Sequence, residues 1–235
     1  MNCLDGVIED KYRIVSVLKD NGKSKIVRLR NTELNKDIVK IKFDGSGEIY
    51  ERLSEISQQN LPTIYDVAEK DGKCTVIEEF IDGATVSDIL MSGLYTEAGA
   101  ISVCTSVCDA LFALHSIGII HRDIKPENVM VDSNGRVVLI DFDAARIFKD
   151  YRSQDTRIIG TTGYAAPEQF GISQTDERTD IFSLGILMNV MLTGEHPSKK
   201  SYSGKLRRII DKCIQIDPKK RYANVTELKN CLNNI

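Results

Sequence analysis

The sequence has no large excess of either charge. Its 31 lysine and arginine residues are balanced by 34 aspartate and glutamate residues, and the formal net charge is −3. It therefore lacks the basic field that favours nucleic acid or an anionic membrane surface. Long hydrophobic runs are missing as well, since the most apolar stretch, Ile186–Leu192, is far too short to cross a bilayer. No basic-then-apolar segment follows Met1, so we expect no signal peptide. From the net charge and the short apolar runs we expect no nucleic-acid partner and no membrane partner.

The six cysteines lack the paired C-x-x-C spacing of zinc and redox motifs. Cys104 and Cys108 are one helical turn apart and could present one edge of a metal site. No histidine or second cysteine pair accompanies them, so we interpret them as small apolar residues of a buried helix. Scattered cysteines favour a reducing compartment, and we expect a cytoplasmic protein.

Internal repeats and low-complexity segments are also absent. A chain of 235 residues can bury a core as one large domain or as two small lobes. Charged residues at 28% and hydrophobic residues at 42% are ordinary proportions for a globular protein. Composition therefore predicts a folded chain, and the motifs must indicate its function.

The most informative stretch is His121-Arg122-Asp123-Ile124-Lys125-Pro126-Glu127-Asn128. It lies between two apolar runs, Ile117–Ile120 and Val129–Val131, so we expect a polar loop at the edge of a core. Pro126 supports a loop, because proline has no backbone donor and disfavours helix just before it. A loop that carries an acid, a base and an amide is a typical place for catalytic groups.

This octapeptide matches the catalytic-loop signature of protein kinases, H-R-D-x-K-x-x-N, at every fixed position. The chain resembles the eukaryotic-like serine/threonine protein kinases in a compact, bacterial form, over nearly its whole length. The resemblance implies an α+β, bilobal protein-kinase-like fold, with a small antiparallel β-sheet N-lobe that has one helix and a mostly helical C-lobe. One kinase domain would span residues 1–235, with the N-lobe at 1–81, the hinge at 79–84 and the C-lobe at 85–235.

The resemblance assigns the phosphoryl-transfer residues of the C-lobe. Asp123 would be the catalytic base, and Lys125 would offset charge on the transferred phosphoryl group. Asn128 would hold magnesium together with Asp141, the aspartate of D-F-G. The glycine of that motif is replaced by Asp143, which could stiffen the turn, add charge near the metal or serve as a plain turn residue.

Two strands, Arg13–Leu18 and Lys25–Arg30, are predicted on either side of a hairpin turn at Asn21-Gly22, because both turn residues tolerate positive φ. In the kinase family this hairpin is the glycine-rich loop that covers the nucleotide phosphates. Here Lys19, Asn21 and Ser24 replace its three glycines, so backbone N–H groups would approach phosphate less closely. Lys19, Lys23 and Lys25 could compensate with charge, although solvated turn lysines are the simpler account.

A third strand, Ile38–Phe43, carries the candidates for the family's phosphate-binding lysine. The family places a small apolar residue two positions before that lysine, on the same face and above the adenine. Lys40 would put Ile38 in that position, whereas Lys42 would put a charged Lys40 there. We therefore choose Lys40, although a gap-free alignment falls between the two lysines.

A short helix is predicted at Glu48–Ser57, with Ile49, Leu53 and Ile56 on one stripe. In the family, a glutamate of this helix pairs with the strand lysine and fixes it on the phosphates. Glu48 and Glu51 are the candidates, and neither matches the family spacing cleanly. Glu48 lies nearer the apolar stripe and is preferred, with an ordinary exposed glutamate as the alternative.

The stretch Val76–Gly83 resembles the family's hinge, whose backbone binds the adenine edge. By that register the backbone of Glu79 and Ile81 would contact the nucleotide, and Glu78 would guard the pocket behind the adenine. The resemblance adds Ile26 and Met130 to the nucleotide-binding residues.

The stretch Gly160–Glu168 resembles the end of a kinase activation segment and keeps the A-P-E motif. By this register Thr161 would hydrogen-bond Asp123 and Lys125, an arrangement typical of serine/threonine specificity. Glu168 would pair with Arg221, and Asp180 would brace the catalytic loop from below. Ser153 or Thr156 could be phosphorylated and pair with Arg122, although solvated hydroxyls are the simpler interpretation.

These residues predict an ATP-dependent kinase that phosphorylates serine and threonine hydroxyls of protein substrates, with ATP and Mg²⁺, or Mn²⁺ in its place, as cofactors. One alternative is a pseudokinase or weakly active nucleotide-binding scaffold, because the glycines are lost and Asp143 is unusual. A small-molecule phosphotransferase is a further alternative, but Lys125, Thr161 and the A-P-E motif are typical of kinases that act on proteins. The sequence does not predict the oligomeric state.

Overall fold

The protein is described by a computed structural model over residues 11–148, 163–170 and 175–235. It divides into two compact units. The first comprises the described residues up to Gln58 together with Pro62–Ile81, and the second comprises Gln59–Leu61 together with the described residues from Asp82 onwards. The first is mainly an antiparallel sheet and the second is mainly helical, which confirms the predicted fold class.

The first unit is built on a five-stranded antiparallel sheet in the order β1-β2-β3-β5-β4. Its strands are β1 Tyr12–Asp20, β2 Ser24–Asn31, β3 Asp37–Asp44, β4 Ile64–Lys70 and β5 Lys73–Glu79. Tight antiparallel connections explain the pairs β1-β2, β2-β3 and β4-β5, because successive strands joined by short turns pair with each other. Strand β3 pairs with β5 across the longer segment that contains the helix Glu48–Ser54 and β4. The three strands predicted before residue 44 are therefore confirmed.

The two glycine-containing turns of this sheet form in different ways. At Asp71-Gly72 both residues have positive φ, 52° and 72°, which matches the twist of a two-residue hairpin. In the first hairpin Gly22 has positive φ, 76°, whereas Asn21 contributes its side chain. Its Oδ1 accepts hydrogen bonds from the backbone N–H groups of Lys23 at 3.0 Å and Ser24 at 2.8 Å. Asn21 therefore acts as a turn-forming side chain rather than through positive φ.

Helix α1, Glu48–Ser54, packs on one face of this sheet and ends three residues before the predicted Ser57. Its Tyr50 and Leu53 are buried, and the Tyr50 ring lies 5.7 Å from the ring of Phe43 on β3. At the start of the helix, a Cβ on Gly47 would come within 2.9 Å of the Sγ atom of Cys74. We call this side of the sheet, which carries Phe43 and Cys74, the helix face.

The second unit contains five helices in its described part. They are α2 Val86–Leu90, α3 Glu97–Ser116, α4 Glu177–Thr193, α5 Arg207–Cys213 and α6 Val225–Asn233. Two small antiparallel sheets accompany them. One contains β6 Gly83–Thr85, β8 Val129–Asp132 and β9 Val137–Leu139, and the other pairs β7 Ile119–Ile120 with β10 Arg146–Ile147.

Side-chain caps define several of these helices. Thr85, Thr96 and Asp176 accept hydrogen bonds from the first turns of α2, α3 and α4. The predicted N-cap of the last helix is confirmed, because Asn224 Oδ1 accepts from the backbone N–H of Glu227 at 2.9 Å. These bonds satisfy backbone donors that the first turn of a helix leaves without an internal partner.

Helix α3 forms the core of the second unit. In the described part of the chain it is the one helix long and apolar enough to cross a membrane. Its apolar stripe, with Val107, Leu111 and Leu114, is buried within this unit, as is typical of a core helix. Cys104 and Cys108 lie on the same buried side, which confirms them as core residues, and burial raises the pKa of Cys108 to about 12.

Candidate functional site

The catalytic-loop stretch follows β7 and is held from one side by Asp180 of α4. The carboxylate of Asp180 accepts hydrogen bonds from the backbone N–H of His121 at 3.0 Å and of Arg122 at 2.7 Å. The Nε2 atom of His115 on α3 lies 2.8 Å from the same carboxylate. Arg122 adopts a positive φ of 68°, a strained conformation for a residue with a long side chain. Asp180 therefore braces the loop, as predicted.

Asp180 is fully buried, so its charge must be compensated locally. Burial alone would raise its pKa, but the hydrogen bond and charge of His115, with the backbone N–H of Arg122, hold the pKa below its usual value. The brace is therefore an ionised carboxylate, which makes stronger hydrogen bonds to backbone N–H groups than a neutral acceptor would.

Three predicted catalytic side chains come together in this loop. Lys125 Nζ lies 2.6 Å from Asp123 Oδ2, and Asn128 Nδ2 donates to the same oxygen at 2.9 Å. Asn128 Nδ2 also donates to the backbone carbonyl of Asp123 at 2.8 Å. A single turn of 3₁₀ helix, Pro126–Asn128, brings the amide back towards Asp123. The result is an oriented carboxylate beside a cation, with 13% of the Asp123 side chain exposed.

Asp141 lies two residues after the end of β9, and the residue before it is hydrogen-bonded to the backbone of Asn128. The N–H of Ile140 donates to the carbonyl of Asn128 at 2.9 Å. Asp141 has a positive φ of 67°, and its Oδ1 accepts a hydrogen bond from the backbone N–H of Asp143 at 3.2 Å. Asp143 itself does not have positive φ, so this position does not require the glycine of D-F-G. The exposed Asp143 side chain is thus accommodated without backbone strain.

Phe142 and His121 form the buried support beneath this turn. Their rings meet edge to face with centroids 5.4 Å apart, and a ring nitrogen of His121 lies 3.2 Å from the carbonyl of Ile140. Burial lowers the pKa of His121, which favours a neutral ring at this position. The catalytic loop and the turn at Asp141 are therefore packed on each other.

The oxygen atoms of Asn128 and Asp141 fit a magnesium ion by their chemistry. Magnesium prefers oxygen ligands and is commonly held by one or two protein groups, with water and substrate phosphates completing its shell. Because the amide nitrogen of Asn128 bonds Asp123, its amide oxygen is the atom available to a metal. Within the described residues there is no group of three or more His, Cys, Asp or Glu side chains that could hold a metal alone.

The end of the A-P-E segment is tied to the catalytic loop by Gln169, a residue that was not predicted from the sequence. Its Oε1 accepts from the N–H of Ala166 at 2.9 Å, and its Nε2 donates to the carbonyl of Arg122 at 2.9 Å. Gln169 is fully buried. Its position directly after the A-P-E motif was the available signal, because a buried amide can bridge two loops by donating and accepting at once.

The predicted pair of Glu168 and Arg221 is confirmed. It is bidentate, with N–O distances of 2.6 and 2.9 Å, and its side chains are 2% and 0% exposed. Thr179 Oγ1 donates to Glu168 at 3.0 Å, and the Arg221 guanidinium lies 4.8 Å from the centre of the Phe182 ring. Thr161, Ser153 and Thr156 lie outside the described residues, so their assigned roles remain predictions.

In the first unit, the strand registers decide which residues share the helix face. Ile26 on β2 is paired with Ile41 on β3, and Ile41 with Val76 on β5. These residues lie on the helix face, because facing residues of paired strands point to the same side and residues two apart share it with Phe43 and Cys74. Lys40 is paired with Val27 and Ile77, and therefore lies on the opposite face.

The opposite face is an apolar cluster. It contains Val27, Leu29, Ile38 and Ile77, with Tyr12 packed against them. Lys40 is 9% exposed on this face. Ile26 and Ile38, which we predicted to line one nucleotide surface, thus lie on opposite sides of the sheet.

The residues of the hinge stretch up to Ile81 contact other residues of the first unit. The N–H of Glu79 donates to the carbonyl of Thr63 at 2.8 Å, and the Arg28 guanidinium lies 4.1 Å from the centre of the Phe80 ring. Asp37 accepts from both Arg28 and Arg30, and the hydrogen bond from Arg30 outweighs its burial and lowers its pKa to about 2. Ile81 and Glu78 are buried.

The remaining predicted nucleotide residue, Met130, lies on β8 in the second unit. It is half-buried and pairs with Thr85 on β6 and Val138 on β9. The structure therefore distributes the predicted nucleotide residues between the first unit and the second.

Residues 14–233 match the family model for the protein kinase domain. The chain belongs to the protein kinase family. It is 29% identical to "Probable serine/threonine-protein kinase CPE1738" of Clostridium perfringens, over 97% of this chain and 39% of that protein. It is 32% identical to serine/threonine-protein kinase PknB of Mycobacterium leprae, over 81% of this chain and 33% of that protein. The chain thus spans well under half the length of these bacterial relatives.

Because the chain belongs to the kinase family, the prediction of Lys40 as the phosphate-binding lysine is corrected by its position. A strand lysine that pairs with a glutamate of the family's helix must lie on the face where that helix packs. Lys40 lies on the other face, because side chains alternate along a strand and Lys40 is one residue from Ile41. The alternation alone could not tell the two faces apart before the position of α1 was known.

The predicted partner Glu48 is also corrected. Its Oε1 accepts a hydrogen bond from Arg52, one turn further along α1, at 3.0 Å, and 44% of its side chain is exposed. In the described part of the chain it does not pair with Lys40. An i,i+4 pair within one helix satisfies the carboxylate without any strand residue.

Proposed function

We propose that this chain is an ATP-dependent serine/threonine protein kinase that transfers the γ-phosphoryl group of ATP to hydroxyls of protein substrates. The observation that carries the proposal is the cluster of Asp123, Lys125 and Asn128, which the buried Asp180 braces through the backbone. Membership of the kinase family and the names of the bacterial relatives agree with this activity.

Each side chain has a defined role in the proposed reaction. The Asp123 carboxylate orients the attacking hydroxyl and accepts its proton as the new oxygen–phosphorus bond forms and the bond to the departing ADP oxygen breaks. Lys125 stabilises the negative charge on the transferred group from its position beside Asp123. Asn128 and Asp141 would hold Mg²⁺, which would neutralise the phosphate charge when bound.

A protein substrate is favoured over a small molecule by the region around the A-P-E motif. The bridge through Gln169 holds that motif on the catalytic loop, and the buried pair of Glu168 and Arg221 holds it on the segment before α6. A support of this kind is suited to presenting an extended substrate segment next to Asp123. The predicted contact of Thr161 with Asp123 would add to it.

The test is phosphoryl transfer from radiolabelled ATP with Mg²⁺ to the chain itself and to a generic basic protein. We expect label with the wild type and a loss of about 100-fold or more with Asp123→Asn, which keeps the shape of the side chain but cannot accept the proton. Asp211→Asn, on α5, is the matched control and should label like the wild type. Equal labelling by Asp123→Asn and wild type would contradict the proposal.

A specific observation favours the alternative of a nucleotide-binding scaffold. Lys40 lies away from α1 and Glu48 is paired with Arg52, so the ion pair typical of active kinases is not formed by these two residues. In the same assay, binding of ATP by the wild type without transfer to any acceptor would support the scaffold.

A further inference from the structure

The helix face of β3 carries no lysine within the described strand. Its residues there are Asp37, Val39, Ile41 and Phe43, and Ile41 is 3% exposed. A lysine that approaches the nucleotide next to α1 would have to occupy this face, so Ile41 stands where that lysine would be expected. A nucleotide triphosphate is a polyanion, and a phosphate site without a nearby cation would bind it weakly.

A bulge in β1 places a different lysine on the helix face. The pairing of β1 with β2 shifts between Val17 and Lys19, so that Lys19, rather than Leu18, is opposite Ile26. Ile26 is in turn opposite Ile41. The next residue, Asp20, forms an ion pair of 3.3 Å with Lys25, its partner on the opposite face, which agrees with this register. Bulges commonly redirect a side chain in this way.

The other lysines and arginines of the described strands β1 to β3 lie on the opposite face or away from the hairpin turn. Arg13 is opposite Arg30, at the end of β1 far from that turn. In the described strands β1 to β3, Lys25, Lys40 and Lys42 all lie on the opposite face. Arg28 and Arg30 are on the helix face but bond Asp37, beside the hinge and several residues from the hairpin turn. Lys19 is half-buried and lies next to the turn that would cover the phosphates in a kinase.

We propose that Lys19 is the phosphate-binding cation of the first unit and that Ile41 takes the place of the strand lysine. The inference rests on the proposed function, because it assumes that the hairpin between β1 and β2 covers the phosphates of ATP. The proposal explains why a lysine occurs at a position where the family has glycine. The positive charge that β3 lacks is supplied by β1, and β2 lies between these two strands.

The test compares the affinities of the whole chain for ATP with Mg²⁺ and for adenosine, by titration calorimetry. Lys19→Ala should weaken ATP binding about tenfold or more, the effect of losing one charged hydrogen-bond partner. Adenosine has no phosphate, so its affinity should not change, which separates lost charge from a distorted hairpin. Lys19→Arg should retain most of the ATP affinity. Lys70→Ala, at an exposed lysine of β4, is the control that should bind like the wild type.

Two further variants test whether the phosphate-binding cation comes from β1 or from β3. Lys40→Met preserves side-chain length on the opposite face and should keep the ATP affinity. Ile41→Lys, introduced together with Lys19→Ala, should recover a substantial part of it, because it returns a cation to the helix face. Wild-type ATP affinity in Lys19→Ala, or a tenfold loss in Lys40→Met instead, would overturn the assignment.

The assignment of Lys19 and the proposed activity fail in different ways. If the wild type transfers phosphate and Lys19→Ala binds ATP as tightly as it does, the Lys19 assignment is wrong and the kinase activity stands. If the wild type binds ATP through Lys19 but transfers nothing, the activity is wrong and the assignment stands. A wild type that binds no ATP overturns both.

Discussion

At the scale of single residues, the site depends on a few buried charges with assigned partners. Asp180 is the clearest case, since one carboxylate bonds two backbone N–H groups of the catalytic loop and the ring of His115. In the proposed reaction Asp180 would be a positioning residue, because it would act on Asp123 through the backbone of the two preceding residues. Arg122 can hold its positive φ since the surrounding hydrogen bonds determine the loop conformation.

We expect Asp180→Asn to slow phosphoryl transfer by about 100-fold, because an uncharged amide holds the loop less firmly and a small displacement of Asp123 is costly. The effect should fall on kcat and leave the affinity for ATP nearly unchanged. Steady-state kinetics with varied ATP would measure both quantities. A rise in KM at constant kcat would show instead that Asp180 supports nucleotide binding.

At the scale of elements, the bidentate pair of Glu168 and Arg221 joins the A-P-E turn to the segment before α6. Both side chains are almost completely buried, so each charge depends on the other for compensation. Arg221 also donates to the carbonyls of Arg178 and Gln215, and therefore connects the start of α4 as well. The pair holds three segments together from a single position.

Removing one partner of this pair should destabilise the protein by about 3–5 kcal/mol, because the remaining charge is left buried without compensation. Urea unfolding of Arg221→Met would measure the loss in the free energy of unfolding. The double variant Glu168→Leu with Arg221→Met should recover part of it. A double variant no more stable than Arg221→Met would show that hydrogen bonds to other segments, rather than the uncompensated charge, account for the loss.

The strands show how far periodicity predicts an element. Alternation correctly predicted β3, and Asn21-Gly22 correctly predicted the first hairpin. Periodicity could not say which side of β3 meets α1, since both sides carry apolar residues: Val39 and Ile41 on one, Ile38 on the other. The bulge that places Lys19 opposite Ile26 could not be predicted from periodicity either, because it depends on how β1 pairs with β2.

At the scale of the whole molecule, the free energy of unfolding should decrease at low pH, because the folded protein contains carboxylates with lowered pKa values. The pKa of Asp37 is lowered to about 2 from 3.8, by its hydrogen bonds with Arg30 and Arg28. A carboxylate with a lowered pKa contributes stability above its unfolded pKa, and this contribution is lost as the pH falls through the folded value. The contribution of Asp37 should therefore be complete near neutral pH and should vanish between about pH 4 and pH 2.

The free energy of unfolding of Asp37→Asn should accordingly lie below that of the wild type at pH 7, and the difference should shrink as the pH approaches 2. Urea unfolding at a series of pH values would measure it. The exposed Asp66 on β4 provides the control variant Asp66→Asn. A difference between wild type and Asp37→Asn that stays constant from pH 7 to pH 2 would contradict the linkage.

The sequence by itself determined the family, the fold class and the residues of the catalytic loop. The H-R-D-x-K-x-x-N, D-F and A-P-E motifs are contiguous, so their local spacing already defines which side chains meet, as Asp123, Lys125 and Asn128 do. The tertiary structure alone decided the face on which a strand residue lies and the partner that a charged residue takes. Lys40, Glu48 and Gln169 were misjudged or missed because their roles depend on the packing of α1, on Arg52 and on a distant carbonyl. Such contacts join residues whose distance in sequence carries no signal.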